Sequence, residues 1–71
     1  DISIMNTLRR NEFKDLLEMN ELLFEEKEYS IVSDLPKIGT ITYFPKSNKL
    51  QVHKTNEWID NGFIYVKNLL K

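Results

Sequence analysis

The feature that most constrains this chain is a change of hydrophobic period after Pro36. Ile38, Thr40, Thr42 and Phe44 alternate with Gly39, Ile41 and Tyr43, and Leu50 and Val52 alternate with Lys49, Gln51 and His53. Successive side chains of a strand point to opposite faces of a sheet, so a period of two predicts two strands. Pro45-Lys46-Ser47-Asn48 lies between them and supplies residues suited to a tight turn. A β-hairpin is expected here.

On either side the period is helical. From Asn6 to about Lys27, Phe13, Leu16, Leu17, Leu23 and Phe24 recur at spacings of three, four and seven, widened by Met19 and Leu22, which predicts one helix. The segment Glu28 to Asp34 is rich in β-branched and aromatic residues and runs into Leu35-Pro36, so it reads as a short strand. Ile59, Phe63, Val66 and Leu70 are spaced four, three and four, with Trp58 and Leu69 beside them. They predict a second helix, capped by Thr55 or Asn56. Gly62 interrupts that helix and reads as a kink or as close packing on the sheet, with close approach by a partner's backbone as the functional alternative.

The expected fold is α+β in two layers: helix, three strands, helix, with a small antiparallel sheet and both helices packed on one face. Seventy-one residues suffice for one core. Residues 1–5 read as tag-derived or disordered, and 6–71 as a single small domain. The order of elements resembles, in topology only, the double-stranded RNA-binding domain. Residues 55–62, Thr-Asn-Glu-Trp-Ile-Asp-Asn-Gly, carry two acids where that family has a basic run, so no residue role is carried over.

Several chemistries are disfavoured by what the chain contains. With no cysteine there is no disulfide framework, no thiolate nucleophile and none of the common zinc sites. No stretch approaches the roughly 20 apolar residues of a membrane span. The start lacks the layout of a signal peptide, and a cytoplasmic protein without membrane association is expected. His53 is the only histidine and has no nucleophile motif around it. Gly39 and Gly62 stand alone rather than in a phosphate loop. No catalytic residue, metal or cofactor is expected, and binding is the function class that remains.

Charge is divided along the chain. Residues 1–35 hold nine acids against four bases, a net of −5, whereas residues 36–71 hold six bases against two acids, a net of +4. Such halves can form faces that steer different partners. The leading expectation is a protein-binding module, a regulator or inhibitor in the style of phage or mobile-element accessory proteins. Glu18, Glu21 and Glu25 would supply charge complementarity, and Phe44 or Tyr65 an apolar anchor. Trp58 and Phe63 are expected inside, with Phe44 and Tyr65 partly exposed. The alternative is a nucleic-acid-binding module in which Lys46, Lys49 and Lys54 contact phosphates while Gln51, His53 and Phe44 face the ligand. Self-association into a homo-oligomer stays open.

Overall fold

The computed structural model describes residues 2–71. The hairpin is present as β3 (Gly39–Phe44) and β4 (Lys49–Val52), paired antiparallel with Phe44 opposite Lys49 and Ile41 opposite Val52. It forms the centre of a larger sheet. β1 (Phe24–Glu26), β2 (Ile31–Leu35) and β5 (Glu57–Ile59) complete a five-stranded antiparallel meander in the order β1-β2-β3-β4-β5. The helices α1 (Ile2–Met19) and α2 (Gly62–Leu69) precede and follow it. The α+β class and the helix-strands-helix order match expectation, with two more strands than the period suggests. Asp1 lies outside the described residues, and helix begins at Ile2 rather than Asn6.

Both added strands lie in segments whose spacing reads as helix. α1 stops at Met19 instead of near Lys27 because Glu21 adopts a left-handed φ of 57°. The Leu22 N–H donates to the Leu17 carbonyl at 2.9 Å and the Glu21 N–H to the Glu18 carbonyl at 3.0 Å. These two bonds are the Schellman closure of a helix C-terminus, at a position where glycine is the usual residue. The chain then turns, and Phe24 and Glu26 pair with Ser33 and Ile31. At the other end, Thr55 and Asn56 cap no helix. They lie in the β4–β5 turn, with Asn56 at φ 58°, and β5 follows immediately. Asn61 at φ 53° then separates β5 from α2.

Strand register decides which residues reach the core. Ile31, Tyr43 and Leu50 share one cross-strand row with Ile59, and Ser33, Ile41 and Val52 share the next with Glu57. Except for Ile59 and Glu57 on the edge strand, these side chains are buried. Phe13 of α1 stacks on Tyr43, with ring centroids 4.1 Å apart and planes 10° apart. Gly62 of α2 sits against the same ring and against Leu50. Both helices therefore cover one face of the sheet, and Phe13, Leu17 and Val66 close the core from above.

Polar contacts fix the helices in place. Arg10 donates from Nη1 to the Lys27 carbonyl and from Nη2 to the Glu28 carbonyl, both at 2.8 Å. Arg9 donates to the carbonyls of Pro45 and Lys46, each at 3.2 Å. Arg10 and Lys14 both contact the Glu26 carboxylate, and these hydrogen bonds hold it below its ordinary range. Asn48, at φ 55° in the β3–β4 turn, links three elements. Its Oδ1 accepts from the Tyr43 hydroxyl at 2.8 Å and from the Phe63 N–H at 3.3 Å, and its carbonyl accepts from the Gly62 N–H at 2.8 Å. Two otherwise unpartnered donors at the start of α2 are thereby satisfied. No helix among the described residues is long and apolar enough to cross a membrane.

Two outcomes follow from this packing. A Cβ at position 62 would lie 2.9 Å from the Leu50 Cβ and 3.1 Å from the Tyr43 ring. Gly62→Ala should therefore destabilise the fold by about 1–3 kcal/mol in urea unfolding. Burial pushes the Tyr43 phenol from its ordinary 10.0 up to about 12. The folded state then holds this proton more tightly than the unfolded chain, so the associated stability is intact below pH 10.0 and lost as pH rises to about 12. Tyr43→Phe should flatten that alkaline loss, which denaturation midpoints on either side of pH 10.0 would reveal.

Candidate binding surfaces

The acidic residues follow one another from the end of α1 to the first edge strand. Glu18 lies in the last turn of α1, Glu21 forms its closing turn, and Glu25 lies on β1, the first edge strand. All three are exposed. Among the described residues the ion pairs engage Glu26, through Arg10 and Lys14, and leave Glu18, Glu21 and Glu25 without a cationic partner. Between them stand Met19 and Leu23, 81% and 91% exposed. The helical reading placed Leu23 on the core stripe. The left-handed Glu21 rotates the chain, and Leu23 projects outward while its carbonyl accepts from Ser33 Oγ at 2.8 Å. Met19 and Leu23, with Glu18, Glu21 and Glu25 flanking them in the chain, are referred to below as the acidic rim.

The second surface is the sheet face that no helix covers. Glu25, Val32, Thr42, Gln51 and Trp58 form one cross-strand row across all five strands, roughly 19 Å wide at the usual strand spacing. Phe44 and Lys49 are paired in the neighbouring row. Trp58, expected inside, is 57% exposed. Its place beside a helical stripe holds no longer once residues 57–59 are a strand, because Ile59 then points inward and Trp58 outward. Its indole packs on the Phe44 ring, with centroids 5.5 Å apart and planes tilted by 30°. Phe63 is half-buried against the core, as are Phe44 and Tyr65 in their own settings.

The remaining expected contacts divide between the two ends of the hairpin. Lys46 and Lys49 flank the β3–β4 turn, whereas Lys54 lies in the β4–β5 turn at the far end of β4, roughly 15 Å away. Gln51 donates to Asn56 Oδ1 at 2.8 Å, and His53 Nε2 lies 2.6 Å from Thr42 Oγ1. Lys54 instead lines a cleft of about 250 Å³ with Lys37, Ile38, Val52, Ile59 and Tyr65. Tyr65 therefore belongs to α2 and the helix side of the sheet, away from Phe44. Of the five residues expected to contact a protein, Glu18 and Glu21 lie at the end of α1, Glu25 lies on β1 in the row of the uncovered face, and Phe44 and Tyr65 stand on different surfaces. No group of three or more histidine or carboxylate side chains among the described residues is placed to hold a metal ion.

No protein-family model, curated protein or solved structure matches this chain. The functional reading therefore rests on the surfaces themselves. Sequence spacing missed Met19, Leu23 and Trp58 as exposed groups. The signal for Trp58 was present in the flanks, since Asn56 and Asn61-Gly62 bound a stretch short enough to be a strand between turns.

The exposure of Trp58 can be read in solution. Collisional quenchers should reach its indole freely, and iodide should quench it more strongly than caesium if Lys46 and Lys49 dominate the local potential. Stronger quenching by caesium would show that Asp60 and the rim acids dominate instead.

Proposed function

We propose that this chain is a protein-binding module that captures a basic surface on its partner through the acidic rim, acting as a regulator or inhibitor by occupying that surface. The observation that carries this reading is the exposure of Met19 and Leu23, 81% and 91%, among glutamates that have no internal counter-charge. Large apolar side chains ringed by groups of one charge combine a desolvated anchor with electrostatic complementarity. Of the four bases in residues 1–35, Arg10 and Lys14 pair with Glu26, Arg9 reaches the β3–β4 turn, and Lys27 is exposed beside Glu26; none forms an ion pair with Glu18, Glu21 or Glu25 among the described residues. β1 adds a sheet edge along which an extended partner segment can lie.

Glu18→Lys with Glu21→Lys and Glu25→Lys should abolish capture of the partner from an extract of the source cells, and Leu23→Ser should weaken it about tenfold or more. Capture by the wild-type chain should fall steeply with added salt. Carbodiimide coupling, which joins carboxylates to amines without a spacer, should map partner lysines to Glu18, Glu21 or Glu25. Equal recovery by the wild-type and charge-reversed chains, or cross-links confined to other carboxylates, would sink the proposal.

A further inference from the structure

We infer that the uncovered sheet face around Phe44 and Trp58 is a binding site for single-stranded nucleic acid, separate from the acidic rim. Trp58 rests against Phe44 on one side and leaves more than half of its surface to solvent. An indole is costly to leave in water, and an open aromatic face is the surface on which an unpaired base stacks whatever its identity. Lys49 stands directly opposite Phe44 in the strand pairing, and Lys46 lies in the adjoining turn. Both are exposed, and neither takes part in an ion pair among the described residues. Arg9 fixes the backbone of that turn through the carbonyls of Pro45 and Lys46 and adds a third positive charge behind it.

The groups around the rings are polar rather than apolar. Gln51 lies opposite Trp58 and is oriented by Asn56, and Thr42 and His53 are held together in the same region of the face. A protein interface core would be expected to surround such rings with further apolar area, whereas an amide and an imidazole suit the edges of splayed bases. Glu57 points to the opposite face, in the row of Val52. Glu25 and Asp34 lie on β1 and β2, which limits the favourable region to β3–β5. Two rings and two lysines span a footprint of about two or three nucleotides. A duplex keeps its bases stacked inside and offers nothing to these rings, so the ligand is a single strand.

Trp58 is the only tryptophan, so its fluorescence reports on this site alone. Titration with an oligothymidine or oligouridine of about ten nucleotides should quench it saturably, because stacked bases quench indole emission. Lys46→Glu with Lys49→Glu changes exposed side chains only. It should weaken binding at least about tenfold and reduce the dependence on the logarithm of salt concentration by about 1.4, the contribution of two phosphates on a single strand. Phe44→Ala should weaken binding about tenfold, with circular dichroism confirming that each variant is folded. A duplex of the same length should compete poorly.

Absence of quenching at any oligonucleotide concentration, unchanged affinity in the lysine variant, or tighter binding of the duplex would each overturn the inference. So would a Trp58 signal that responds only to a protein partner held at the rim, since that would assign this face to the protein interface. The glutamate-reversed rim variant should bind the oligonucleotide at least as well as the wild-type chain, which keeps this test independent of the rim reading.

Discussion

The rest of the fold depends on the enclosure of one ring in the central strand. Tyr43 is stacked by Phe13 from α1 and approached by the backbone of Gly62, and its hydroxyl donates to Asn48 in the turn that follows its own strand. Asn48 also accepts from the first two N–H groups of α2. Helix α1, helix α2 and the hairpin are thus joined at a single residue. Because a domain of this size buries a small core, a steric condition at one position carries much of the packing. The absence of a Cβ at residue 62 is what allows α2 to descend onto the sheet.

That arrangement has consequences for charge. With both helices on one face, α1 has to be held along the sheet, and Arg9, Arg10 and Lys14 do this by reaching backbone carbonyls and Glu26. Cations that are close in sequence to the glutamates are therefore used in anchoring. Glu18, Glu21 and Glu25 are exposed with no ion-pair partner among the described residues, and the excess of acids in residues 1–35 becomes a surface property. The opposite sheet face is left open by the same packing, and it carries the aromatic pair and the two lysines of the hairpin turn. Along the open face the division of charge in the chain persists, with Glu25 on β1 and Lys49 on β4.

Much of this was legible in the residues, and the failures have definite causes. The hairpin was readable because alternation over residues 38–44 and 50–52 is bounded by proline and asparagine. The close packing of Gly62 was readable because a glycine stands beside an apolar stripe. The end of α1 was not, since glutamate at position 21 takes a left-handed conformation that its residue type does not favour. β5 was not, since Ile59 lies four residues before Phe63 and continues a helical spacing by coincidence. Three-residue edge strands carry too few side chains to show a period of their own.

The sequence by itself determined the class of the fold, the central hairpin, the single core and the segregation of charge, because these follow from side-chain chemistry and period along the chain. Only the tertiary structure decided which apolar residues would be left outside. Leu23 and Trp58 are as apolar as their buried neighbours. Their exposure comes from a backbone turn at Glu21 and from the register of β5 against β4, which are settled by main-chain conformation and hydrogen bonding rather than by side-chain period.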